Sequence, residues 1–201
     1  MNTVNVYDFD GTIYDGESTF DFFLYCLCRR PALFRYLFTV VFHLIGYKLC
    51  LVSKEKLLAA AKKNIVGMFN ACPDVVSFVA PFWETHRNKL KPWYTESRAA
   101  TDIVISASFG FMLRDMCPYI GLDARRLICS EVDLDTLEIT RLSFRENKPV
   151  LFGELFPDTH IGTFYTDSEN DIAMMRLADR VCLVKKNTVS DYPVPKGDKS
   201  R

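Results

Sequence analysis

Residues 6–17 read VYDFDGTIYDGE, which puts two carboxylates, Asp8 and Asp10, at the end of a β-rich run and directly before a Gly11-Thr12 turn. In extended backbone, residues two apart lie on the same side. Like charges that close need a compensating cation or a proton. A second acidic pair, Asp167 and Asp171, follows the run HIGTFYTD and is four residues apart, about one helical turn. Four acids converging at one sheet edge call for a divalent cation. Mg2+ suits them best, because it binds through one or two carboxylates, waters and a substrate phosphate without an all-protein cage. Ser106, near the end of the run DIVISAS, can hydrogen-bond a phosphate oxygen, and Lys148 can balance the negative charge. Taken singly these residues have ordinary explanations: Asp167 as a helix N-cap, Lys148 as a surface lysine, Ser106 as a strand-end serine. Together and in this order they describe phosphoryl chemistry.

The elements that must position them are legible in outline. TVNVYDFD is a short strand ending in the Gly11 turn. From about Ser18 to Ala99 the pattern is helical, with FDFFLYCLC, ALFRYLFTVVFHLIG, KEKLLAAAKKNIVGMF and DVVSFVAPFWETHRNKL as successive helices. The pattern then becomes α/β. Residues 102–108 form a strand, FGFMLRDMCPYIG a helical run and residues 125–131 a second strand. VDLDTLEITRLSF is a hairpin or ribbon, and KPVLFGELFP a short helix with Pro149 in its first turn. HIGTFYTD is a strand, SENDIAMMRLAD a helix and RVCLV a last strand, while NTVSDYPVPKGDKSR lacks an apolar period and is expected to be loosely attached. The expected fold is therefore α/β, a Rossmann-like, mainly parallel sheet with an all-helical cap inserted after the first strand. Residues 1–15 and 98–192 make the core, 16–97 the cap and 193–201 a tail. In open α/β sheets the working site lies beyond the carboxyl ends of the strands, where Asp8, Asp10, Ser106 and Asp167 all stand.

Composition narrows the class. The 201 residues are 49% hydrophobic and 25% charged, which is globular, with zero formal net charge. Residues 20–91 hold eleven Lys or Arg against four Asp or Glu, a balance of +7 that leaves −7 for the remainder. A basic insert facing an acidic body suits an anionic substrate or surface. The seven cysteines are odd in number, lack a C-x-x-C pair and fall mostly in apolar runs, as expected for reduced thiols of a cytoplasmic protein. His43, His86 and His160 are scattered and form no zinc pattern. The start of the chain runs directly into a strand, with no signal peptide expected. The apolar stretch 31–53 carries Arg35, His43 and Lys48, with twelve residues between the arginine and the lysine. A membrane span needs about 20, so a buried or interfacial helix is expected there. No basic stripe interleaved with aromatics points to nucleic acid.

The motifs DFDGT (8–12), VISAS (104–108), Lys148-Pro149 and YTDSENDIAMM (165–175) together resemble the haloacid dehalogenase superfamily, in the branch with an early helical cap that includes the phosphoserine phosphatases. The resemblance covers nearly all of residues 4–186. It implies a Mg2+-dependent phosphatase that hydrolyses a phosphomonoester through an aspartyl-phosphate. Asp8 would be the nucleophile and a metal ligand. Asp10 would be the general acid/base, its main-chain carbonyl touching the metal. Asp167 would be a metal ligand and Asp171 a support of the metal shell. Ser106 and Lys148 would hold the phosphoryl group, with Gly11, Thr12 and Ala107 lining its pocket. A phosphotransferase or phosphomutase on the same core is the alternative, and a non-catalytic binding protein is disfavoured because no motif residue is missing. A dehalogenase would not need the acid at Asp10.

The substrate is less constrained. Glu17 lies nine residues after Asp8, where phosphoserine phosphatases carry a glutamate for the substrate amino group. Yet no arginine occurs between Arg35 and Arg87, and a lysine does not replace a bidentate fork. The helix pair FFLYCLCRRPALFRYLFTVVFHLIGYKL instead resembles the cap of bacterial phosphatidylglycerophosphate phosphatases. Its aromatics and leucines, with Arg29, Arg30, Arg35 and Lys48, have the composition of a segment in peripheral contact with an anionic membrane. The same residues also suit a plain cap core. Both soluble and lipid phosphoesters stay open, as does the oligomeric state.

Overall fold

The computed structural model describes residues 2–36, 39, 67 and 69–194. Its frame is a seven-stranded sheet in the order β4-β3-β2-β1-β5-β6-β7, formed by Asn2–Asp8 (β1), Ile103–Phe109 (β2), Leu127–Val132 (β3), Ile139–Arg141 (β4), Thr159–Thr166 (β5), Ala178–Lys185 (β6) and Thr188–Tyr192 (β7). The five inner strands are parallel, while β4 and β7 pair antiparallel at the two edges. After β1 the chain works outward through β2, β3 and β4, then returns to the other side of β1 as β5. That reversal opens a crevice between the carboxyl ends of β1 and β5, the place where open α/β sheets bind ligands.

Alternation along β1 decides which way its residues face. Val4 and Val6 join Ile103, Ile105 and Phe164 on one side, with Phe152 from α6 (Asn147–Leu155) and Met174 and Met175 from α7 (Ile172–Met175). Tyr7 lies in the opposite layer with Val104, next to α1 (Ser18–Arg29) and α2 (Val79–His86). Phe9 follows Tyr7 into that layer, fully buried and edge-on to Trp83 at a centroid separation of 6.1 Å. The aromatic residue between the two acids thus anchors their turn to the helices of the insertion. Trp83 extends the tie by donating its Nε1–H to the Met112 carbonyl at 2.8 Å.

Several expected helices are shorter than their sequence pattern suggests. Residues 75–89 divide into a 3-10 turn, α2 and a second 3-10 turn. The run after β2 divides into α4 (Gly110–Leu113), a 3-10 turn and α5 (Cys117–Ile120), with α3 (Pro92–Ser97) before β2. Pro118 falls in the first turn of α5, where a missing N–H costs nothing, so the run restarts there. The ribbon after β3 is the β3–β4 hairpin, with Glu131 opposite Arg141. The residues after RVCLV depart from expectation. Instead of a loose segment, Thr188–Tyr192 forms β7, turned back through Lys186 at a φ of 56° and paired with β6 from Val181 to Lys185. Its residues are nearly all exposed, so backbone pairing rather than apolar burial holds it, and no apolar period marks it. The expected helices within 40–66, Cys50, His43, Lys48 and the last residues of the tail lie outside the described residues. Among the described residues no helix is long and apolar enough to cross a membrane.

Candidate active site

β1 ends at Asp8, and the chain then wraps around one carbonyl. The amides of Ile13 and Tyr14 donate to the Phe9 oxygen at 2.8 and 2.9 Å, and the Gly11 amide donates to the Gly16 oxygen at 3.0 Å. Gly11 has a φ of 72°, and a Cβ there would run into the Asp167 carboxylate. Two physical demands therefore exclude any side chain at this position: the left-handed backbone and the close approach of the acid from β5.

The tight turn sends the two carboxylates of DFD to different partners. Asp8, like Val4 and Val6, faces the α6 side, where the Lys148 ammonium donates to its Oδ1 at 2.7 Å. The same ammonium donates to both oxygens of Asp171 at 2.9 and 3.0 Å, and the Thr166 hydroxyl donates to Asp171 Oδ2 at 3.1 Å. Lys148 is only 4% exposed and Asp8 7%. Burial pushes the Asp8 carboxyl up to about 8; Lys148 pulls against that rise, and Asp171 adds to it. Burial works against the Lys148 charge, but Asp8 and Asp171 outweigh it and hold the lysine above its ordinary range. Lys148 therefore remains a cation between Asp8 and Asp171, which is how two buried carboxyl groups can share one small space.

Asp10 has no ion-pair partner among the described residues. Its Oδ1 accepts the Ser18 amide at the start of α1 at 2.6 Å, and its Oδ2 accepts the Ser108 hydroxyl at 2.6 Å and, more distantly, the Ser106 hydroxyl at 3.4 Å. Ser108 in turn accepts from the Thr19 hydroxyl at 2.8 Å and lies 3.2 Å from that of Ser18. Asp10 thereby serves the first turn of α1 as its cap, in place of the Glu17 side chain, which makes no capping bond. Ser106 Oγ also accepts the Ser108 amide at 3.0 Å, so the hydroxyl expected to meet phosphate is turned towards Asp10. Ala107 is exposed at the strand end, its carbonyl held by the Ser130 hydroxyl at 2.7 Å.

Asp167 follows β5, half-buried against Gly11. Burial raises its carboxyl and Asp171 adds to the rise, while Lys91 and Lys148 oppose it. It forms no ion pair among the described residues. Glu17 is exposed on the same side, its carboxyl raised by partial burial and then by Asp10 and Asp167. Thr12 is fully buried, with no hydrogen-bond partner for its hydroxyl among the described residues.

The expected residues are thus brought to one crevice, but as three groups rather than one ring of acids. Asp8 and Asp171 share Lys148, Asp10 sits in a hydroxyl cluster, and Asp167 stands against the turn. Among the described residues no three His, Cys, Asp or Glu side chains are gathered closely enough to hold a metal by themselves. Sequence reasoning did not single out Ser18, Ser108, Thr166 or Lys91. Ser108 had a signal, since VISAS places two serines two apart on one strand face. Lys91 had one too, because Lys91-Pro92 repeats the Lys148-Pro149 dipeptide ahead of a second short helix.

Among curated proteins no sequence matches significantly. In structure, the chain resembles a protein of unknown function from Bordetella pertussis Tohama I, with a TM-score of 0.66 at 19% identity over 90% of this chain and 89% of that one. It also resembles DsGPDH of Dunaliella salina, with a TM-score of 0.54 at 18% identity over 89% of this chain and 30% of that one. A phosphoserine phosphohydrolase-like protein from Francisella tularensis aligns at a TM-score of 0.46 and 16% identity, over 90% of this chain and 86% of that one. At such identities the likeness speaks for the fold alone. The profile of the haloacid dehalogenase-like hydrolases matches residues 6–176, from two residues before Asp8 to beyond Asp171. The crevice of acids and the fold that carries it therefore have one family assignment: this chain is an enzyme of the haloacid dehalogenase-like hydrolase family.

Proposed function

We propose that the chain is a magnesium-dependent phosphatase that works through an aspartyl-phosphate. The observation that carries this reading is the opposed partnering of Asp8 and Asp10, one held by a buried ammonium and the other by hydroxyls and an amide.

Asp8 attacks phosphorus with one carboxylate oxygen, so that a P–O bond to Asp8 forms as the ester P–O bond breaks. The departing alkoxide takes a proton from Asp10, which must carry one at that moment. Water then attacks the aspartyl-phosphate, its proton returns to Asp10, and inorganic phosphate leaves as the Asp8 carboxylate is restored. Lys148 places its charge beside the phosphoryl oxygens, and Ser106 and Ala107 hold them once substrate draws Ser106 from Asp10. Gly11 and Thr12 shape the pocket floor.

The donor set fits Mg2+. It is all oxygen, and Asp167 is a half-buried carboxylate without an ion pair among the described residues, the situation a hard cation relieves. Asp8, Asp167 and the Asp10 carbonyl would hold the ion, with Asp171 supporting Lys148 and the shell around it. When bound, Mg2+ neutralises charge on the transferring phosphoryl oxygens.

In this reading residues 16–97 form the specificity cap over a core of 1–15 and 98–192, and Glu17 is placed to meet a cationic group of the substrate. A lipid substrate such as phosphatidylglycerophosphate has one favouring observation. Phe20 (54% exposed), Leu24 and Phe34 lie open on the first helices, close in sequence to the exposed Arg29, Arg30 and Arg35. The test is phosphate release by the purified protein, with Mg2+ and with a chelator, on soluble phosphomonoesters including phosphoserine and on phosphatidylglycerophosphate in mixed micelles. Mg2+-dependent release with a trapped phosphoryl group on Asp8 is the expected result. Transfer of the group to a second hydroxyl without free phosphate would make the protein a mutase. Full activity of folded Asp8→Asn would overturn the reading.

A further inference from the structure

The linker that returns from the helical insertion brings a lysine to the site that no motif assigns. Residues 89–91 run along the catalytic turn. The Asp15 amide donates to the Lys89 carbonyl at 2.8 Å, the Lys91 amide donates to the Ile13 carbonyl at 2.8 Å, and Tyr14 and Leu90 are bridged antiparallel between them. The Lys91 side chain then turns inward. It is as buried as Lys148, and its ammonium donates to the Gly11 carbonyl.

An ammonium taken that far from water needs compensation, and one main-chain carbonyl is a weak partner for a full charge. Burial holds the lysine below its ordinary range, and the charges of Asp15 and Asp167 offset that only in part. The hydrogen bond falls on a sensitive residue. Gly11 follows Asp10 and lies so near Asp167 that a Cβ on it would meet the carboxylate. Its carbonyl belongs to the peptide linking it to Thr12, so rotating that peptide turns Gly11 against the Asp167 carboxylate on one side and moves Thr12 on the other. Lys148 joins Asp8 to Asp171 from the α6 side, and Lys91 fixes the turn from the opposite, linker side.

We propose that Lys91 is a positioning residue whose grip on the Gly11 carbonyl keeps the Asp8–Asp10 turn and Asp167 in the register needed for a divalent cation and for phosphoryl transfer, tying that register to the linker of the helical insertion. The proposal rests on the phosphatase reading for its kinetic part only.

The experiment compares wild type with Lys91→Met, which keeps the length of the side chain and removes donor and charge. Mg2+ affinity is measured by titration calorimetry without substrate, and exchange of the Gly11, Ile13 and Tyr14 amides by hydrogen–deuterium exchange. Both are set beside thermal unfolding, kcat and KM. The expected result is a cooperatively folded variant with Mg2+ binding weakened about 10-fold, faster exchange confined to the turn, and kcat reduced about 10-fold with KM within about 2-fold. Lys91→Arg, which restores charge and donor, should recover part of the affinity. Unchanged affinity and exchange in folded Lys91→Met would overturn the proposal. So would tighter Mg2+ binding, because the site would then feel the lysine as a repelling charge and not as a clasp. If Lys91→Met does not fold, Lys91→Gln goes through the same comparison, and misfolding of both makes Lys91 a folding element and overturns the proposal. A wild type that binds Mg2+ but releases no phosphate sinks the phosphatase reading while affinity and exchange still decide Lys91. A wild type that binds no Mg2+ sinks the metal-dependent reading, and turn exchange alone then decides.

Discussion

Asp8 and Asp10 occupy one turn, two residues apart, and live in opposite surroundings. Asp8 faces the α6 side, in a buried triad where one ammonium, that of Lys148, is shared by the carboxyl groups of Asp8 and Asp171. Asp10 faces β2 and the start of α1, in a cluster of hydroxyls and one amide that can rotate or yield a bond. A nucleophile must stay ionised and fixed, whereas a group that gives and takes a proton needs partners that tolerate both of its states. The same side chain is suited to two tasks by the kind of donor around it. Between the two acids, Phe9 is buried edge-on against Trp83.

The contrast can be broken from either side. Asp8→Asn should have the largest effect, lowering phosphate release more than about 10⁴-fold while leaving the fold intact, as read by turnover and circular dichroism on the same sample. Asp10→Asn should cost about 10²- to 10⁴-fold. It should spare substrates with good leaving groups, so a panel of aryl phosphates of graded leaving-group pKa would expose the lost acid as a steeper dependence. Lys148→Met should reduce turnover about 10²- to 10³-fold. It should also destabilise the protein by about 3 kcal/mol or more, because two buried carboxylates would be left without their cation, measurable by urea unfolding. If that variant were instead more stable, the triad would be a strained store of charge and not a compensated one. Ser108→Ala should have the smallest effect, about 10-fold, as one hydrogen bond to a charged group is lost. A loss as large as that of Asp10→Asn would mean that the hydroxyl takes part in moving the proton.

Much of this was legible in the chain itself. The spacing of DFDGT, the strand-end positions of Ser106 and Asp167 and the four-residue step to Asp171 depend on local periodicity, which the sequence carries directly. The alternation of strands and helices likewise implied the parallel sheet and the place of its crevice. The edge strand β7 was not legible, because its exposed residues owe their conformation to pairing with β6 and to no pattern of their own.

What the sequence alone determined is which side chains reach the crevice, since strand period and turn chemistry decide that within a few residues. Only the tertiary structure decided how they divide. Lys148 lies 140 residues from Asp8, Ser108 lies 98 from Asp10, and Lys91 lies 80 from Gly11. Contacts at such separations are set by how the sheet and helices pack, so no local pattern could show that one acid would meet an ammonium, the other a hydroxyl, and the glycine after them a second lysine.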